Sequence, residues 1–506
     1  MTSLTVAIDI AASADRVWSV LTDLDHFGDW NPFIREASGS LAVGGTVHVH
    51  VRSPIGLPLR FSATVLACEP GRELRWRGTF LAARLAGGEH AFVIEPLGPG
   101  RVRFIQREEF SGWLPRLVSP LLRSQTRRGF DQMNRALKAR AEKSTSWMLG
   151  ARPSGPAAPY HARFESIGAK LPERRLTTPE LMASTRHHNR IDLERLTGIR
   201  ERRVCGPDET SLTLAIDAAR DCLARSRYTA DDLDVVINAS ITRDVGGQSH
   251  RFEPPLNLSI REAIGAHRAF GFDLSNACAG MLTGVFLLDS MIRRGQIRRG
   301  MVVSGEHISG LGSNAARDVR SIFSLQLASL TLGDAGAAVI VDRAPADRPG
   351  ILAAGFTTLA EHSRLCVGLP AAHQPGAHMY TRARAIHDVA MADGPVIVGE
   401  ILDQHGLRLD DIDWFIPHQT SVRAVRSGER VLAKHLGGHP GHVVVTVDEY
   451  GNTASTTLFL ALHRYLTEGQ FQSGDRIMLL SVASGLEVGV VLFEMDELKE
   501  THGHAN

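Results

Sequence analysis

The chain of 506 residues has few cysteines, and their spacing indicates neither a disulfide framework nor a zinc site. The five are Cys68, Cys205, Cys222, Cys278 and Cys366. Their number is odd, they are widely separated, and no CxxC pair occurs among them. A reducing, cytoplasmic setting is therefore expected, and no metal site is predicted.

An excess of charge and long apolar runs are absent as well. Lys and Arg total 56 and Asp and Glu total 55, which gives a formal net charge of +1. This balance gives no reason to expect a nucleic-acid or membrane partner. Asp9 and Arg16 interrupt the amino-terminal segment before an apolar core of signal-peptide length forms. Elsewhere the apolar runs are too short to span a bilayer.

The chain is too long for one hydrophobic core, and residues 143–160 have the composition of a linker. This segment, KSTSWMLGARPSGPAAPY, is rich in Pro, Gly, Ser and Ala and has no apolar period. It separates a front block, residues 1–142, from a larger block that begins at residue 161.

The front block has the pattern of an antiparallel sheet that ends in a long helix. An alternating strand over residues 4–10 precedes a helix that starts near Ser13. Further strands are predicted over residues 46–51, 61–68, 73–78, 90–95 and 102–110, and an amphipathic helix over 121–143. His90, Glu108 and Glu109 are interpreted as ordinary strand residues. A sheet wrapped around the final helix would enclose a ligand cavity.

This strand run, the first helix with Trp18, and the segment Trp30–Phe33 (WNPF) resemble the START-like polyketide cyclase/dehydrase (SRPBCC) superfamily. The resemblance implies an α+β helix-grip fold that binds an apolar ligand. Some members steer the cyclisation of polyketide chains, whereas others bind lipids without chemistry. The sequence leaves both roles open for the front block.

The larger block alternates strands and helices, as in a layered α/β protein. Strands are predicted over residues 235–239, 301–304, 337–341, 414–417, 443–447 and 477–481, and helices over 212–225, 280–294, 386–405, 421–436 and 456–466. Two similar segments, Asp232–Ile237 (DLDVVI) and Asp411–Ile416 (DIDWFI), occur in its two parts. They predict a duplicated core with halves at residues 161–343 and 344–500.

Three residues at element junctions carry the candidate chemistry. Cys278 follows a strand and precedes a helix, where unpaired amides and the helix dipole favour a thiolate. A buried structural thiol explains that segment equally well. His418 follows the strand at 414–417, and Asn452 lies beside Gly451 in a turn before another helix. Each alone also fits an ordinary core or turn residue.

Together, the motifs NACAG at Cys278, PHQ at His418 and GNTAS at Asn452 resemble the ketoacyl-acyl-carrier-protein synthase III family of the thiolase superfamily. Thr197–Arg202 (TGIRER) and Leu332–Ala338 (LGDAGAA) extend the resemblance. It implies a duplicated αβαβα thiolase fold and a homodimer. It also implies an acyltransferase without a cofactor, whose substrates arrive as coenzyme A or acyl-carrier-protein thioesters.

The resemblance also implies roles for individual residues. Cys278 would accept an acyl group from a thioester. His418 and Asn452 would hydrogen-bond the carbonyl of a second thioester, whose carbon then attacks the first acyl group. The amides of Cys278 and Gly485 would form the oxyanion hole. The front block would hold or cyclise the product. Transfer of the acyl group to an alcohol or amine is the alternative.

Carrier-protein binding is indicated at two places. Asp192 or one of its neighbours, none of them aromatic, stands where the family often carries a Trp that stacks on coenzyme A, so at least one substrate is expected on a carrier protein. Arg423, Arg426 and Arg430 follow His418 on a predicted helix, and the matching face in the family receives acidic carrier proteins. A solvated helix face is the other interpretation of these arginines.

Glu253, in the segment RFEPP, resembles part of the head-to-head condensing subgroup, which includes enzymes of olefin, α-pyrone and dialkylresorcinol biosynthesis. In that subgroup a glutamate reaches across the dimer and removes a proton from the α-carbon. Glu253 is therefore predicted to act as this base. The alternative is a solvated glutamate in a Pro-rich turn.

Overall fold

The computed structural model of the chain describes residues 2–52, 58–80, 86–98, 101–111, 119–142, 160–187, 191–245, 250–345, 348, 350–372 and 376–502. The chain forms two compact units, Met1–Ser146 and Trp147–Asn506. Their boundary falls inside the predicted linker, which lies outside the described residues apart from Tyr160. No described helix is both long enough and apolar enough to cross a membrane.

The first unit contains a seven-stranded antiparallel sheet in the order β1-β7-β6-β5-β4-β3-β2. Its strands are β1 Thr2–Ile10, β2 Ile34–Gly39, β3 Thr46–Arg52, β4 Pro58–Glu69, β5 Glu73–Phe80, β6 Ala86–Gly98 and β7 Arg101–Ser111. Its helices are α1 Ala14–Thr22, α2 Phe27–Trp30 and α3 Ser119–Glu142, with a 3-10 turn at Leu24–His26.

Alternating side chains build the core of this unit between the sheet and α3. Leu74 and Trp76 on β5 are buried, whereas Arg77 beside them is exposed, as expected for a strand with one face in the core. Met133 and Leu137 on α3 belong to the same core. The sheet and its terminal helix confirm the predicted helix-grip fold.

Among its described residues, the second unit contains two five-stranded sheets and two antiparallel pairs of short strands. Its strands are β8 Tyr160–Lys170, β9 Arg175–Thr177, β10 Glu201–Arg203, β11 Val235–Asn238, β12 Phe270–Asp273, β13 Arg299–Glu306, β14 Ala335–Pro345, β15 Ile351–Thr358, β16 Cys366–Pro370, β17 Ala377–Thr381, β18 Trp414–Pro417, β19 His442–Val443, β20 Arg476–Ala483 and β21 Glu487–Glu494.

Helices flank and connect these strands. They are α4 Thr178–Ala183, α5 Leu193–Thr197, α6 Ser211–Ala224, α7 Leu256–Ile264, α8 Gly280–Arg293, α9 Ser309–Asp318, α10 Ala383–Gln404, α11 Val422–Leu436, α12 Val447–Tyr450, α13 Thr457–Thr467 and α14 Leu498–His502. Short 3-10 helices lie at Ala230–Asp232, Ala277–Ala279, Leu327–Thr331, Ala360–Leu365, Leu409–Asp411 and Ala454–Thr456.

The two large sheets repeat one strand pattern. In the first, β8 is antiparallel to β14 and β14 to β13, while β13 and β11, and β11 and β12, run parallel. In the second, β15, β21, β20, β18 and β19 follow in the same order with the same directions. The similar segments at Asp232–Ile237 and Asp411–Ile416 each contain the end of a 3-10 turn and most of the strand that is second from one edge of its sheet, β11 or β18. This repetition confirms the duplicated thiolase fold.

The strand predicted at 443–447 is wrong. Only His442 and Val443 pair as a strand, and α12 begins at Val447. The side-chain oxygen of the buried Gln419 accepts hydrogen bonds from the amides of Thr446 and Val447. Because these hydrogen bonds satisfy both amides, neither needs a partner on a neighbouring strand. The apolar, β-branched segment that follows Val443 therefore stays outside the sheet. The strands that were not predicted are β2, β8, β9, β10, β15, β16, β17 and β21.

Candidate active site

Cys278 lies in a tight turn at the start of α8. The 3-10 helix Ala277–Ala279 follows β12 and leads directly into Gly280. Ala277 has a φ of 45°, a left-handed conformation that is uncommon for a residue other than glycine. The turn is a local constraint that positions Cys278 between a strand end and a helix start, as the sequence predicts.

Burial, rather than the position at a helix start, has the largest effect on the pKa of the Cys278 thiol. Burial raises the pKa of Cys278 to about 12, and Cys366 and Glu306 add to the increase. Hydrogen bonds from the backbone amides of Cys278 and Ser484 act in the opposite direction. The predicted resting thiolate is therefore wrong, because the cost of burying a charge exceeds the stabilisation from these amides. The group is a thiol at neutral pH.

The amide that faces the sulfur belongs to Ser484, one residue before the predicted Gly485. Together with the Cys278 amide it places two donors near the sulfur, which is the arrangement needed to bind an oxyanion next to it. The sequence contained this residue in the Ala483–Gly485 segment, but residue types alone do not show which amide points toward Cys278. The Ser484 amide is the one that donates to the sulfur, and the oxyanion-hole role of the Gly485 amide stays a prediction.

His418 is a buried, neutral imidazole. Its amide donates to the carbonyl oxygen of Leu480 at 2.8 Å, which fixes the residue at the end of β18 beside β20. Burial lowers the pKa of His418 to about 4. Its Nδ1 is buried without a hydrogen-bond partner among the described residues. At neutral pH the ring therefore retains one N–H donor and one nitrogen lone pair. The helix after His418 spans Val422–Leu436 with Ser421 as its N-cap, which agrees with the predicted range of 421–436.

Backbone contacts within its own turn and with the segment at Leu332 hold Asn452 in place. Its side-chain oxygen accepts a hydrogen bond from the amide of Ala454 at 3.0 Å. With that oxygen in use, the Asn452 amide group can direct its N–H donors elsewhere. The backbone pairs with Leu332 as an isolated parallel bridge. The LGDAGAA and GNTAS motifs are thus brought together.

One large cavity is lined by all three candidate catalytic residues. Its volume is about 1580 Å³, and Cys278, His418 and Asn452 lie on its wall. The remaining wall is mostly apolar and includes Leu193, Leu196, Ile241, Ile308, Leu311, Phe323, Met379 and Met391. A cavity of this size and character can accept a hydrocarbon chain together with the groups that react.

Five arginines also line this cavity, and three of them lie on one helix. Arg423, Arg426 and Arg430 are all on α11, the helix that follows His418. Asp192, by contrast, is the N-cap of α5 and accepts a hydrogen bond from the amide of Arg195. Cations on one helix at the cavity provide a surface suited to an acidic partner.

Glu253 lies away from the cavity residues of its own chain. It is exposed, in the segment before α7, and it is not among the residues that line the cavity. Phe252 beside it has 77% of its surface exposed. A role for Glu253 in the chemistry therefore requires that it act on another copy of the chain.

Glu306 was not predicted to contribute to the site. It is fully buried, and burial raises its pKa. Its carboxyl group accepts hydrogen bonds from the amides of Ile241 and Thr242 and from the hydroxyl of Ser455 in the GNTAS motif. Glu306 therefore links the end of β13 to the turn that carries Asn452. Its burial is a tertiary property, which the sequence pattern does not show.

Cys205, His307 and Asp334 form a group whose ligand atoms lie within 4.8 Å of one another. The Asp334 carboxylate, however, already accepts hydrogen bonds from the amides of Cys205, Ile308 and Ser309 and from the Ser309 hydroxyl. Burial and Asp334 raise the pKa of the Cys205 thiol, which disfavours the thiolate that binds metals. We assign this group a structural role.

Family comparisons match both units. The family described as 3-oxoacyl-[acyl-carrier-protein (ACP)] synthase III matches residues 272–359, and its C-terminal family matches residues 402–495. The family described as polyketide cyclase / dehydrase and lipid transport matches residues 1–142.

Curated relatives are β-ketoacyl-[acyl-carrier-protein] synthases III. The protein from Erythrobacter litoralis is 30% identical over 335 residues, which cover 65% of this chain and 98% of the relative. The protein from Symbiobacterium thermophilum is 31% identical over 342 residues, or 64% of this chain and 95% of the relative. About a third of this chain thus lies outside each match.

Solved structures share the fold. The 3-oxoacyl-[acyl-carrier-protein] synthase III of Aquifex aeolicus is 26% identical, with a TM-score of 0.56, covering 66% of this chain and 99% of that one. OleA of Xanthomonas campestris is 23% identical, with a TM-score of 0.59, covering 68% of this chain and 100% of that one. The likeness to OleA concerns the fold alone.

Proposed function

The chain belongs to the β-ketoacyl-[acyl-carrier-protein] synthase III family, and from this premise we propose that it joins two acyl thioesters through an acyl group held on Cys278. The observation that carries the proposal is that Cys278, His418 and Asn452 line one largely apolar cavity. The proposal extends to the fate of the product, which the front unit receives.

In the first step, the sulfur of Cys278 attacks the carbonyl carbon of the first thioester. The negative charge on the oxygen is bound by the amides of Cys278 and Ser484. The bond to the carrier thiol then breaks, and the released thiolate takes up the proton that Cys278 loses. Neutral His418 can relay this proton, because its ring offers both a donor and an acceptor.

In the second step, His418 and Asn452 donate hydrogen bonds to the carbonyl oxygen of the second thioester. These bonds stabilise the enolate that forms when its α-carbon loses a proton. The α-carbon attacks the acyl carbon on Cys278, the new carbon–carbon bond forms, and the carbon–sulfur bond breaks. Cys278 leaves as a thiolate and takes up the proton that the base removed from the α-carbon, so the enzyme returns to its initial state. Glu253 of a second copy is proposed as the base in a head-to-head reaction of this type.

The test is the covalent intermediate. The protein is incubated with an acyl-coenzyme A, and its intact mass is measured. The wild type should gain the mass of one acyl group, and Cys278→Ala should gain none. Cys366→Ala is the matched control, because Cys366 also lines the cavity. Acylation of the Cys278→Ala protein, or loss of acylation in Cys366→Ala alone, would overturn the assignment.

A further inference from the structure

A buried histidine–carboxylate pair lies in the core of the front unit. His90 on β6 and Glu108 on β7 are directly opposite each other in the antiparallel register. His90 Nδ1 lies 2.6 Å from a carboxylate oxygen of Glu108. The side chains of His90 and Glu108 are 11% and 12% exposed, so neither is completely enclosed. The interpretation of both as ordinary strand residues is therefore incomplete.

The contact with Glu108 determines which nitrogen of the His90 ring is available as a base. A carboxylate only accepts hydrogen bonds, so Nδ1 carries the proton and Nε2 of the neutral ring carries the lone pair. Nε2 is buried and has no hydrogen-bond partner among the described residues. The rings of Phe92 and Phe130 have centroids 4.2 and 4.8 Å from that of His90. A base surrounded by aromatic side chains is suited to an apolar substrate.

A carboxamide pair lies on the same face of the sheet. Gln106 is two residues from Glu108 on β7, and its amide is 2.6 Å from the side-chain oxygen of Asn134 on α3. Both residues are almost fully buried. The second polar atom of each amide has no partner among the described residues. Exchanging N and O in both amides would again leave one donor and one acceptor, so a free N–H donor exists in either assignment.

We propose that His90 and Glu108 form an acid–base pair that enolises a β-dicarbonyl compound with a hydrocarbon chain. Nε2 of His90 takes the proton from the carbon between the two carbonyls. The electrons of that C–H bond form the enolate, and the free carboxamide N–H of the Gln106–Asn134 pair binds its oxygen. Glu108 is a positioning residue that holds the imidazole and stabilises its protonated form.

The enolate carbon can then close a ring. Where one of the condensed thioesters already carries a ketone along its chain, the enolate carbon attacks that ketone and forms a carbon–carbon bond. The electrons of the carbonyl π bond move to its oxygen, which takes the proton from the imidazolium. The reaction is an isomerisation, so it needs no cofactor or second reactant. The choice of substrate rests on the proposed function, because condensation of two acyl thioesters yields a β-keto product.

The experiment measures proton transfer separately from condensation. The full chain carrying Cys278→Ala and Glu253→Gln, which removes the base proposed for the condensing site, is placed in deuterium oxide with the N-acetylcysteamine thioester of a 2-alkyl-3-oxo acid. Deuterium uptake at the carbon between the carbonyls is followed by mass spectrometry. The protein should accelerate exchange above the buffer rate. Adding His90→Gln should reduce this acceleration by about 10²-fold or more, the usual contribution of a general base.

His26→Gln is the matched control, because His26 forms a similar pair with Asp23 at 2.8 Å in the same unit but is exposed. It should keep the full rate. Exchange at the parent rate in a folded His90→Gln protein would overturn the proposal, as would a parent protein that does not accelerate exchange. Neither outcome affects acylation of Cys278, so failure here is distinct from failure of the condensation proposal.

Glu108→Gln provides a second test if His90→Gln does not fold. The rate should fall about tenfold or more. The fall should appear in kcat per folded molecule, with the KM for the thioester unchanged, because the imidazole is no longer held in its orientation. A purely structural role would change the amount of folded protein without lowering kcat per folded molecule, and an unchanged kcat would contradict the proposal.

Discussion

Asn452 and Thr331 are joined by a backbone hydrogen bond of 2.8 Å from the Asn452 amide to the Thr331 carbonyl oxygen. The Asn452 carbonyl oxygen in turn accepts from the amide of Gly333 at 3.0 Å. Two segments from the two halves of the fold therefore cross at the cavity wall. Their close approach depends on glycine at positions 333 and 451, where a Cβ would meet the opposite backbone.

Gly333→Ala should impair the condensation step and leave acylation of Cys278 intact. The new methyl group would contact the carbonyl oxygen of Tyr450, so the turn that carries Asn452 must move. A displacement of about 1 Å in a catalytic group costs on the order of 10²-fold in rate. Product formation and the acyl-enzyme mass are measured on the same samples.

Gly310→Ala is the control for this substitution. Gly310 lies on α9, and a Cβ there meets nothing within 4 Å. This variant should condense at the wild-type rate. Equal condensation by Gly333→Ala and Gly310→Ala would show that the crossing does not position Asn452.

His418 should make the folded protein less stable as the pH falls. Its pKa is lowered by burial to about 4, whereas an unfolded histidine titrates near 6.5. Below pH 6.5 the unfolded chain binds a proton that the folded chain does not, so acid favours unfolding. From pH 7.5 to pH 5 this group should remove about 2 kcal/mol from the free energy of unfolding.

Urea titrations of wild type and His418→Gln at both pH values measure this contribution. The variant should lose about 2 kcal/mol less than the wild type over that interval. His435→Gln, an exposed histidine in the last turn of α11, is the control and should behave as wild type. Equal losses in the wild type and His418→Gln would contradict a buried, neutral His418.

Local sequence patterns were sufficient to predict the three catalytic candidates that line the cavity. Cys278, His418 and Asn452 each follow a strand or turn whose position depends on nearby apolar and glycine residues. The parallel strands that precede Cys278 and His418 have their carboxyl ends at one edge of each sheet, where sites form. The repeated 3-10 turn and the strand that follows it, β11 or β18, were also visible as similar segments.

Properties that depend on distant contacts could not be predicted. His90 and Glu108 are 18 positions apart, and only the register of β6 and β7 pairs them. The pKa of Cys278 depends on burial by segments that lie far away in the sequence. Ser484 and Gly485 are adjacent, so only the path of the backbone determines which amide reaches the sulfur. The strand register, the pKa and the path of the backbone cannot be derived from residue types and their spacing.

Glu253→Gln should prevent condensation without preventing acylation of Cys278, because the proposed base acts only on the second thioester. Glu253 lies outside the cavity of its own chain, so the base must come from a second copy. Mixing Glu253→Gln with Cys278→Ala protein should therefore restore activity. With random exchange of subunits, about a quarter of the sites would combine an intact cysteine with an intact glutamate.

Glu262→Gln, on α7 in the same region, is the control and should remain active alone. If Glu253→Gln condenses normally, Glu253 returns to the interpretation as a turn residue. If it is inactive and the mixture also remains inactive, the base does not act between subunits.

Arg423→Glu should weaken the reaction with carrier-bound substrates and spare small thioesters. Arg423 lines the cavity on α11, and an acidic carrier protein would be repelled by the reversed charge. The expected result is a KM for the acyl carrier protein that rises about tenfold at low salt, with a smaller difference at high salt because ions screen the interaction. The KM for the N-acetylcysteamine thioester should not change. Lys434→Glu, in the last turn of the same helix and outside the cavity lining, is the matched control. Equal effects of both substitutions would indicate a general effect of charge, whereas equal effects of Arg423→Glu on both substrates would indicate damage to the cavity.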